Sequence, residues 1–420
     1  MKTIIVSNGF HNFPLRFVAE GFYKKDFKVI LLTGIYPYNK LIKIIKIFKL
    51  DKFEVVQRIL NRKISLPDKY VHSFYLSELF FQIGRKIYNR FEIFKRIYKF
   101  IDYYAGKFYQ ISANNFLKKL SPNNKYIYVC RCGYGGNSLR DIKNIKTFVV
   151  HNNVHPKIHK TAILNKGIIT KDSKFNDEVD GLFTHMTNDL DKARNILTSG
   201  DQAIYANKLY FKNKNKNKKF YQIYDQIPNH YLQYLKNTKI KKKYLKNTKL
   251  KVCYLGSLVE RKGAEVLLEI MKNYDNKKIE LTIIANSFDF KYKKEIIKTI
   301  KKKKINFLYN AKFKIIAKKL VENHIFLFPS YSEGLARSPL EALACGNYLF
   351  VSKIFTDFSN RNIGVTFLDQ TKPKVWVNAL NKIVNNPKKI NKSFKKNHKI
   401  AIKEYSQESY LNVYLKHFNL

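Results

Sequence analysis

Two glutamates and a short glycine-containing loop carry the clearest chemical pattern in the sequence. Glu333 and Glu341 lie eight positions apart in SYSEGLARSPLEALACG, residues 330–346. Pro339 suits the start of a helix and Gly346 the residue after its end, so the pattern predicts a loop and a short helix between two strands. A helix N-terminus can bind phosphate, and carboxylates accept hydrogen bonds from sugar hydroxyls. The stretch therefore suits a nucleotide sugar.

The same residues also have a purely structural interpretation. Ser338 and Glu341 match the S-x-x-E capping box, in which the glutamate closes the first turn of a helix. Glu333 would then be a solvated loop residue. The pattern by itself leaves both interpretations open.

In its context, after an F-P-S strand end, this loop closely resembles the E-x7-E motif of retaining GT-B glycosyltransferases of family 4. The resemblance implies that Glu333 reaches the donor sugar and that Glu341 holds the ribose hydroxyls of the nucleotide. It further implies that the backbone of Gly334, Leu335 and Ala336 contacts the diphosphate.

A second match to this family lies in GSLVERKG, residues 256–263. Lys262 precedes a predicted helix, and family 4 enzymes are similar in placing a lysine there on the diphosphate. We expect Gly256 and Ser257, in the loop before it, to contact the donor as well. An ordinary surface lysine is the alternative, because lysine is abundant throughout the chain.

The chain departs from the family at two positions. Ser257 replaces the arginine that usually follows the first glycine, and Asn286 lies where the following strand usually ends in glycines. One diphosphate cation is therefore missing. We expect Arg337 to replace it, because Arg337 lies in the phosphate loop itself, and Arg261 is the alternative.

The first half of the chain contains two further candidate site residues. Gly9 follows the first predicted strand, where nucleotide-binding folds often place a ligand, although an ordinary turn glycine is the alternative. His151 ends a predicted strand over 146–151, and the family is similar in placing a histidine beside the donor sugar. A histidine satisfied within the core is the alternative for His151.

No metal site and no cofactor are predicted beyond the nucleotide diphosphate sugar, which is a substrate. His155 and His159 lie on a predicted loop without a fourth ligand nearby. Asp189 and Asp191 form a D-x-D pair in the first turn of a helix predicted over 188–199, and we interpret them as surface charge. Strands are predicted on either side, over 182–185 and 203–211.

The net charge of +49 would attract polyanions, which makes a nucleic-acid-binding protein the rival function. However, the charge is spread along the chain, and the composition is typical of an A/T-rich coding sequence. We find no zinc finger, no RNP-type aromatic motif and no basic region with heptads, so nucleic acid is not the expected partner. A second rival is a catalytically inactive partner subunit of the same fold, because of Ser257 and Asn286.

Residues 40–50 combine paired apolar residues with Lys40, Lys43, Lys46 and Lys49, which on a helix suits an anionic membrane surface. Solvated lysines from coding bias are the alternative. No stretch approaches the about 18 apolar residues of a spanning helix, and the first residues suit a strand better than a signal peptide. We therefore expect a cytoplasmic protein that docks peripherally on the inner face of a membrane.

Short apolar strands alternate with helical stretches, which predicts an α/β protein with doubly wound parallel sheets. The family resemblance implies GT-B architecture, with two Rossmann-like domains facing across a cleft. We place an acceptor-side domain at 1–235, a basic linker at 236–250, a nucleotide-sugar-binding domain at 251–403 and a C-terminal helix crossing back to the first domain at 404–420. The implied reaction is a retaining, metal-independent sugar transfer to a glycan or lipid-linked acceptor in cell-envelope or surface polysaccharide synthesis.

Overall fold

The computed structural model describes the chain from residue 2 to 420, except residues 11–13, 91–94, 141, 177, 213, 215, 216, 239, 241, 242, 335 and 360. For Glu54, residues 85–90 and Lys95 it describes the backbone alone. Within these limits, the named strands form two parallel sheets, one in each half of the chain.

The strands of the first sheet are β1 (Thr3–Ser7), β2 (Val29–Thr33), β3 (Val71–Ser73), β4 (Tyr126–Arg131), β5 (Ile145–Val150), β6 (Asn195–Ser199) and β7 (Lys219–Ile223). They are ordered β3-β2-β1-β4-β5-β6-β7, and β1 pairs in parallel with both β2 and β4. Parallel strands covered on both faces are apolar throughout, and all five residues of β1 are buried.

The strands of the second sheet are β8 (Leu250–Leu255), β9 (Ile279–Ala285), β10 (Asn306–Tyr309), β11 (Ile325–Phe328), β12 (Tyr348–Ser352) and β13 (Val365–Leu368). They are ordered β10-β9-β8-β11-β12-β13. In each sheet the order reverses next to the first strand, and open α/β sheets bind ligands beyond the carboxyl ends of the strands at such a point. The predicted α/β class with two doubly wound parallel-sheet domains is confirmed.

Helices connect the strands and cover the sheets. They are α1 (Leu15–Tyr23), α2 (Asn39–Ile47), α3 (Glu54–Leu60), α4 (Tyr75–Arg90), α5 (Lys95–Lys118), α6 (Pro156–Leu164), α7 (Leu182–Lys192), α8 (Asp201–Phe211), α9 (Asn229–Lys236), α10 (Ala264–Asn273), α11 (Phe290–Lys303), α12 (Phe313–Glu322), α13 (Arg337–Ala344), α14 (Pro373–Ile383), α15 (Pro387–Glu404) and α16 (Gln407–Phe418). Short 3-10 helices occupy Leu50–Lys52, Asp68–Tyr70, Gly136–Leu139, Glu260–Lys262 and Thr356–Phe358. None of the helices in the described residues combines the length and apolar character that a membrane crossing requires.

The final helix, α16, packs on the first half of the chain. The Phe418 ring lies 5.9 Å from that of Phe22 and 4.8 Å from that of Phe148, measured between centroids. Tyr414 and Leu411 are buried in the same core as β1 and α1. The two ends of the chain therefore share one hydrophobic core.

Three predicted elements between residues 182 and 211 are wrong. Residues 182–185 begin α7, the helix predicted over 188–199 ends at Lys192, and β6 takes its second half. Residues 203–211 belong to α8, in which Ala203, Ala206 and Tyr210 are buried at helical spacing. Short apolar runs do not distinguish a strand from a buried helix, and pairing with β5 and β7 selects residues 195–199 as the strand.

The segment around the predicted linker lies against the second half of the chain. Tyr231 of α9 stands edge-on to Phe313 at 4.8 Å. The Tyr244 backbone N–H donates to Asn391 Oδ1 at 2.8 Å, and the Tyr244 hydroxyl donates to Val384 O at 3.0 Å. The segment therefore packs on the second half of the chain. The domain limits at residues 235, 250 and 403 stay a prediction.

Polar contacts join the two halves through α8. Gln202 Nε2 donates to Tyr331 O at 3.1 Å, and Gln202 Oε1 accepts the N–H of Glu333 at 3.4 Å. At the start of α8, the Asp201 N–H donates to Asp357 Oδ1 at 3.0 Å. The loop that contains Glu333 is thus attached to the first half of the chain.

Candidate active site

One cavity of about 890 Å³ is lined by residues from both halves of the chain. The predicted donor-site residues that line it are Gly256, Ser257, Lys262, Glu333, Gly334, Ala336, Arg337 and Glu341. They come together because β8 and β11 are parallel neighbours, so the loops after both strands open at the same edge of the sheet. Leu335, the remaining residue predicted in this loop, lies outside the described residues.

Two glycines allow the close approaches that shape this cavity. Gly263 has a φ of 74°, and a Cβ there would overlap the carbonyl oxygen of Pro329. A Cβ on Gly334 would lie 2.5 Å from Asn152 O and 2.9 Å from Ser199 O, both in the first half. Gly334 therefore lets the predicted phosphate loop contact the opposite domain.

Glu333 lies between two cations. Its carboxylate contacts both Arg261 Nη1 and Lys262 Nζ, and the Arg261 guanidinium also donates to Ser332 O at 2.8 Å. The side chains of Glu333 and Lys262 are largely buried, at 12% and 17% exposure. Lys262 could exchange the carboxylate for a diphosphate oxygen, which would leave Glu333 able to accept hydrogen bonds from a sugar.

Glu341 does not belong to a capping box in the structure. The helix α13 begins at Arg337, two residues before Pro339, and its N-cap residue Ala336 makes no side-chain cap bond. The structure therefore contradicts the capping-box interpretation. Burial raises the pKa of Glu341 to about 7, although the nearby Arg337 guanidinium and a hydrogen bond from Tyr231 favour its ionised form.

Arg337, the expected substitute for the missing cation, lines the cavity beside Asp225. Its Nε lies 3.6 Å from Asp225 Oδ2, and 42% of its side chain is exposed. Burial raises the pKa of Asp225, and Arg337 opposes that shift. Ser257 stands at the position where the family resemblance implies an arginine. Its Oγ donates to Asn286 Oδ1 at 3.0 Å, so this position holds a neutral hydrogen-bonded pair and no cation.

His151 lies outside the large cavity. It lines a second cavity of about 170 Å³, whose other lining residues include Arg131 and His159. His151 Nε2 is 3.1 Å from Val154 O, and burial lowers its pKa to about 4, so the ring is neutral near pH 7. Asn152, the next residue, lines both cavities.

Gly9 is also outside the residues that line the large cavity. Its φ is 71°, its N–H donates to the Tyr109 hydroxyl at 3.2 Å, and a Cβ would lie 2.7 Å from the Tyr134 ring. The positive φ and the covering aromatic ring account for a glycine at this position.

Asp191 is exposed, as the interpretation of the D-x-D pair as surface charge predicts, but for Asp189 that interpretation is wrong. Its buried carboxylate accepts the N–H groups of Gly133, Gly135 and Gly136 at 2.7, 2.8 and 2.6 Å. Burial raises the pKa of Asp189 to about 6, although the three hydrogen bonds favour the ionised carboxylate and lower the pKa. Because α7 begins at residue 182, Asp189 lies within the helix and faces the loop after β4. The glycine-rich 133–136 loop was the sequence signal for such an anion.

Other residues of the large cavity were not predicted. From the first half and the interdomain segment they include Arg58, Asn152, Asp225, His230 and Tyr231, and from the second half Asn286, Asn310 and Phe313. Apart from Asn286, these residues matched no motif, because they reach the cavity from elements distant in the sequence. Among the described residues, no group of three or more His, Cys, Asp or Glu could hold a metal ion.

Residues 236–401 match the protein family described as Glycosyl transferases group 1. No curated protein matches the chain in sequence.

Several solved structures are similar over the whole chain. Sucrose-phosphate synthase from Thermosynechococcus elongatus has a TM-score of 0.61 at 12% identity, covering 100% of this chain and 98% of that one. A mutant of S. aureus TarM, in complex with fondaparinux, alpha-GlcNAc-glycerol and UDP, has a TM-score of 0.60 at 14% identity and full coverage of both chains. WaaG, a glycosyltransferase involved in lipopolysaccharide biosynthesis, has a TM-score of 0.57 at 10% identity, covering 99% and 98%. At these identities the similarity shows the fold alone, and the predicted GT-B fold is confirmed.

Proposed function

We propose that the protein is a retaining glycosyltransferase resembling family 4, which moves a sugar from a nucleotide diphosphate sugar to a glycan or lipid-linked acceptor in cell-envelope or surface polysaccharide synthesis. The observation that carries the proposal is the large cavity, where Glu333 meets Lys262 beside Glu341 and Arg337. The group 1 match over residues 236–401 supports the same class of reaction.

In the proposed reaction, the diphosphate leaves the anomeric carbon and an acceptor hydroxyl attacks from the same face. The acceptor proton passes to the departing diphosphate oxygen, so no side-chain nucleophile is required. Lys262, Arg337 and the backbone N–H groups of the 334–336 loop would stabilise the negative charge that develops on the leaving group. Glu333 would orient the donor sugar and Glu341 the ribose.

The proposed reaction needs no divalent metal, because cationic side chains take the place of the ion at the diphosphate. The leaving group would be a nucleoside diphosphate. The TarM structure, which is of the same fold, holds UDP, and this supports a nucleotide in the corresponding cavity here.

We further propose that the protein is cytoplasmic and docks on the inner face of a membrane through residues 40–50. Most of these residues are solvent-exposed, and Ile45 is the buried residue of α2. Ile47 and Phe48 are exposed by 73% and 68%, between Lys46 and Lys49. Apolar side chains flanked by lysines suit an interface with anionic headgroups.

The experiment that tests the catalytic proposal is a panel of nucleotide sugars screened by thermal shift and by donor hydrolysis. A true donor raises the melting temperature and is hydrolysed slowly without an acceptor. Glu333→Gln should lower hydrolysis strongly, whereas the matched control Glu295→Gln, on the exposed face of α11, should not. If no nucleotide sugar stabilises the protein and none is hydrolysed, the alternative of a catalytically inactive partner subunit is favoured. A salt-sensitive gel shift with nucleic acid would favour the alternative of a nucleic-acid-binding protein.

A further inference from the structure

Among the described residues, the first half of the chain carries a group of exposed large apolar side chains. Most of the large apolar side chains that are exposed in the described part of the chain lie between residues 41 and 111. Apart from those near residues 40–50, they concentrate on α4 and α5, which pack against each other. Contiguous exposed apolar surface of this kind marks an interaction site in a globular protein.

The helix α5 is apolar on two opposite faces. Ala105, Tyr109, Ala113 and Leu117 recur every four residues and are buried against the first sheet. Ile97, Phe100, Phe108 and Ile111 lie on the opposite face and are exposed by 48%, 60%, 48% and 47%. A second apolar stripe on the outer face of a helix indicates a further partner for that face.

The outer faces of α4 and α5 form one continuous surface. Leu76, Leu79 and Ile83 of α4 recur at helical spacing and are exposed. The Phe80 and Phe108 rings, one from each helix, lie 6.1 Å apart and join the two stripes. We define the α4–α5 face as the exposed residues Leu76, Leu79, Ile83, Ile97, Phe100, Phe108 and Ile111.

The charges on these two helices identify the occupant. Among the described side chains of α4 and α5, the carboxylates are turned inward: Glu78 pairs with buried Arg62, and Asp102 accepts the N–H of Leu182 at 2.9 Å. Arg96 and Lys107 are exposed on α5. A second copy of this chain would bring a further net charge of +49, so it would be repelled, whereas anionic lipid headgroups are complementary.

The inner face of α5 contacts the carboxyl edge of the first sheet, and Asn152, which follows β5 at that edge, lines the large cavity. The Tyr109 hydroxyl is 3.0 Å from Ser7 Oγ at the carboxyl end of β1, and Gln110 Nε2 donates to Gly133 O after β4 at 3.0 Å. The helix α5 therefore crosses the carboxyl edge of the first sheet.

We propose that the α4–α5 face is a docking surface for the lipid bilayer, with its aromatic and aliphatic side chains inserted among anionic headgroups. This surface deepens the proposed function, on which it rests, because it would hold the cavity beside a lipid-linked acceptor. It extends the contact predicted at residues 40–50 to two further helices.

The test is co-sedimentation of the full chain with vesicles of phosphatidylcholine alone or mixed with phosphatidylglycerol. The double variant Phe100→Gln, Phe108→Gln should bind anionic vesicles at least about tenfold more weakly than the unsubstituted chain, because two inserted aromatic rings are lost. Phe290→Gln is the matched control, since Phe290 is 89% exposed on α11 in the second half. It should bind like the unsubstituted chain.

Donor hydrolysis without vesicles separates this proposal from the catalytic one, because Phe100 and Phe108 do not line the large cavity and their substitution should leave hydrolysis unchanged. Absence of vesicle binding, equal binding by the double variant, or an equal loss with Phe290→Gln overturns the docking surface even if hydrolysis is normal. Dimerisation of the unsubstituted chain that the double variant abolishes, measured by sedimentation velocity, would also overturn it and make the face an interface between copies.

Discussion

Glu341→Gln is the substitution that most sharply separates a ligand-binding carboxylate from a structural one. Burial raises the pKa of Glu341 from its ordinary value of 4.5 to about 7. Between these values the folded protein binds a proton that the unfolded chain has released, so the contribution of Glu341 to stability falls as the pH rises through this window. The pKa difference corresponds to about 3 kcal/mol, and partial opening to the cavity lowers this to roughly 1–3 kcal/mol.

The neutral amide of Glu341→Gln removes this pH dependence. We expect the variant to melt close to the unsubstituted protein at about pH 5 and above it at about pH 8, by about 1 °C for each kcal/mol in a chain of 420 residues. Thermal unfolding across this range measures the effect, and the difference between the two proteins isolates Glu341 from the other titrating groups.

Activity should move in the opposite direction to stability. If Glu341 accepts hydrogen bonds from the ribose hydroxyls, its loss should cost about 1.5–3 kcal/mol, or roughly 10- to 100-fold in kcat/KM. A variant that melts lower than the unsubstituted protein at every pH, with unchanged activity per folded molecule, would refute this reasoning and restore a structural role.

The remaining predictions concern other parts of the molecule. Glu333→Gln should lower turnover per folded molecule at least about tenfold, because the carboxylate faces the cavity; unchanged turnover in a variant that only melts lower would point to a purely structural ion pair. Activity should persist in EDTA, and loss that Mg²⁺ or Mn²⁺ restores would contradict the metal-independent proposal. Changing the four lysines of residues 40–50 to Gln should weaken binding to anionic vesicles, at about 1 kcal/mol for each lysine, whereas equal binding to neutral vesicles would remove this contact. Asp189→Asn should lower stability by roughly 1–3 kcal/mol in thermal unfolding, since an amide cannot accept all three N–H groups as well as a carboxylate, and an unchanged melting temperature would count against that role.

The sequence predicted the fold class because its signals are local. Parallel strands buried on both faces leave apolar runs such as residues 325–328, and the turns between them carry glycine and proline. The spacing of Glu333 and Glu341 and the position of Lys262 predicted loops that the structure brings to one cavity. The roles of these residues stay predictions until the donor is identified.

Tertiary structure decided the features that depend on residues distant in the chain. The strand at residues 195–199 was selected by pairing with its neighbours, and the inward orientation of Asp189 followed from the earlier start of α7. Packing across the two halves put Glu341 against Tyr231 and left His151 in a separate cavity. The sequence shows directly only the local periodicity of its residues. The burial of a side chain, its pKa and its access to a cavity depend on contacts between segments that are distant in the sequence.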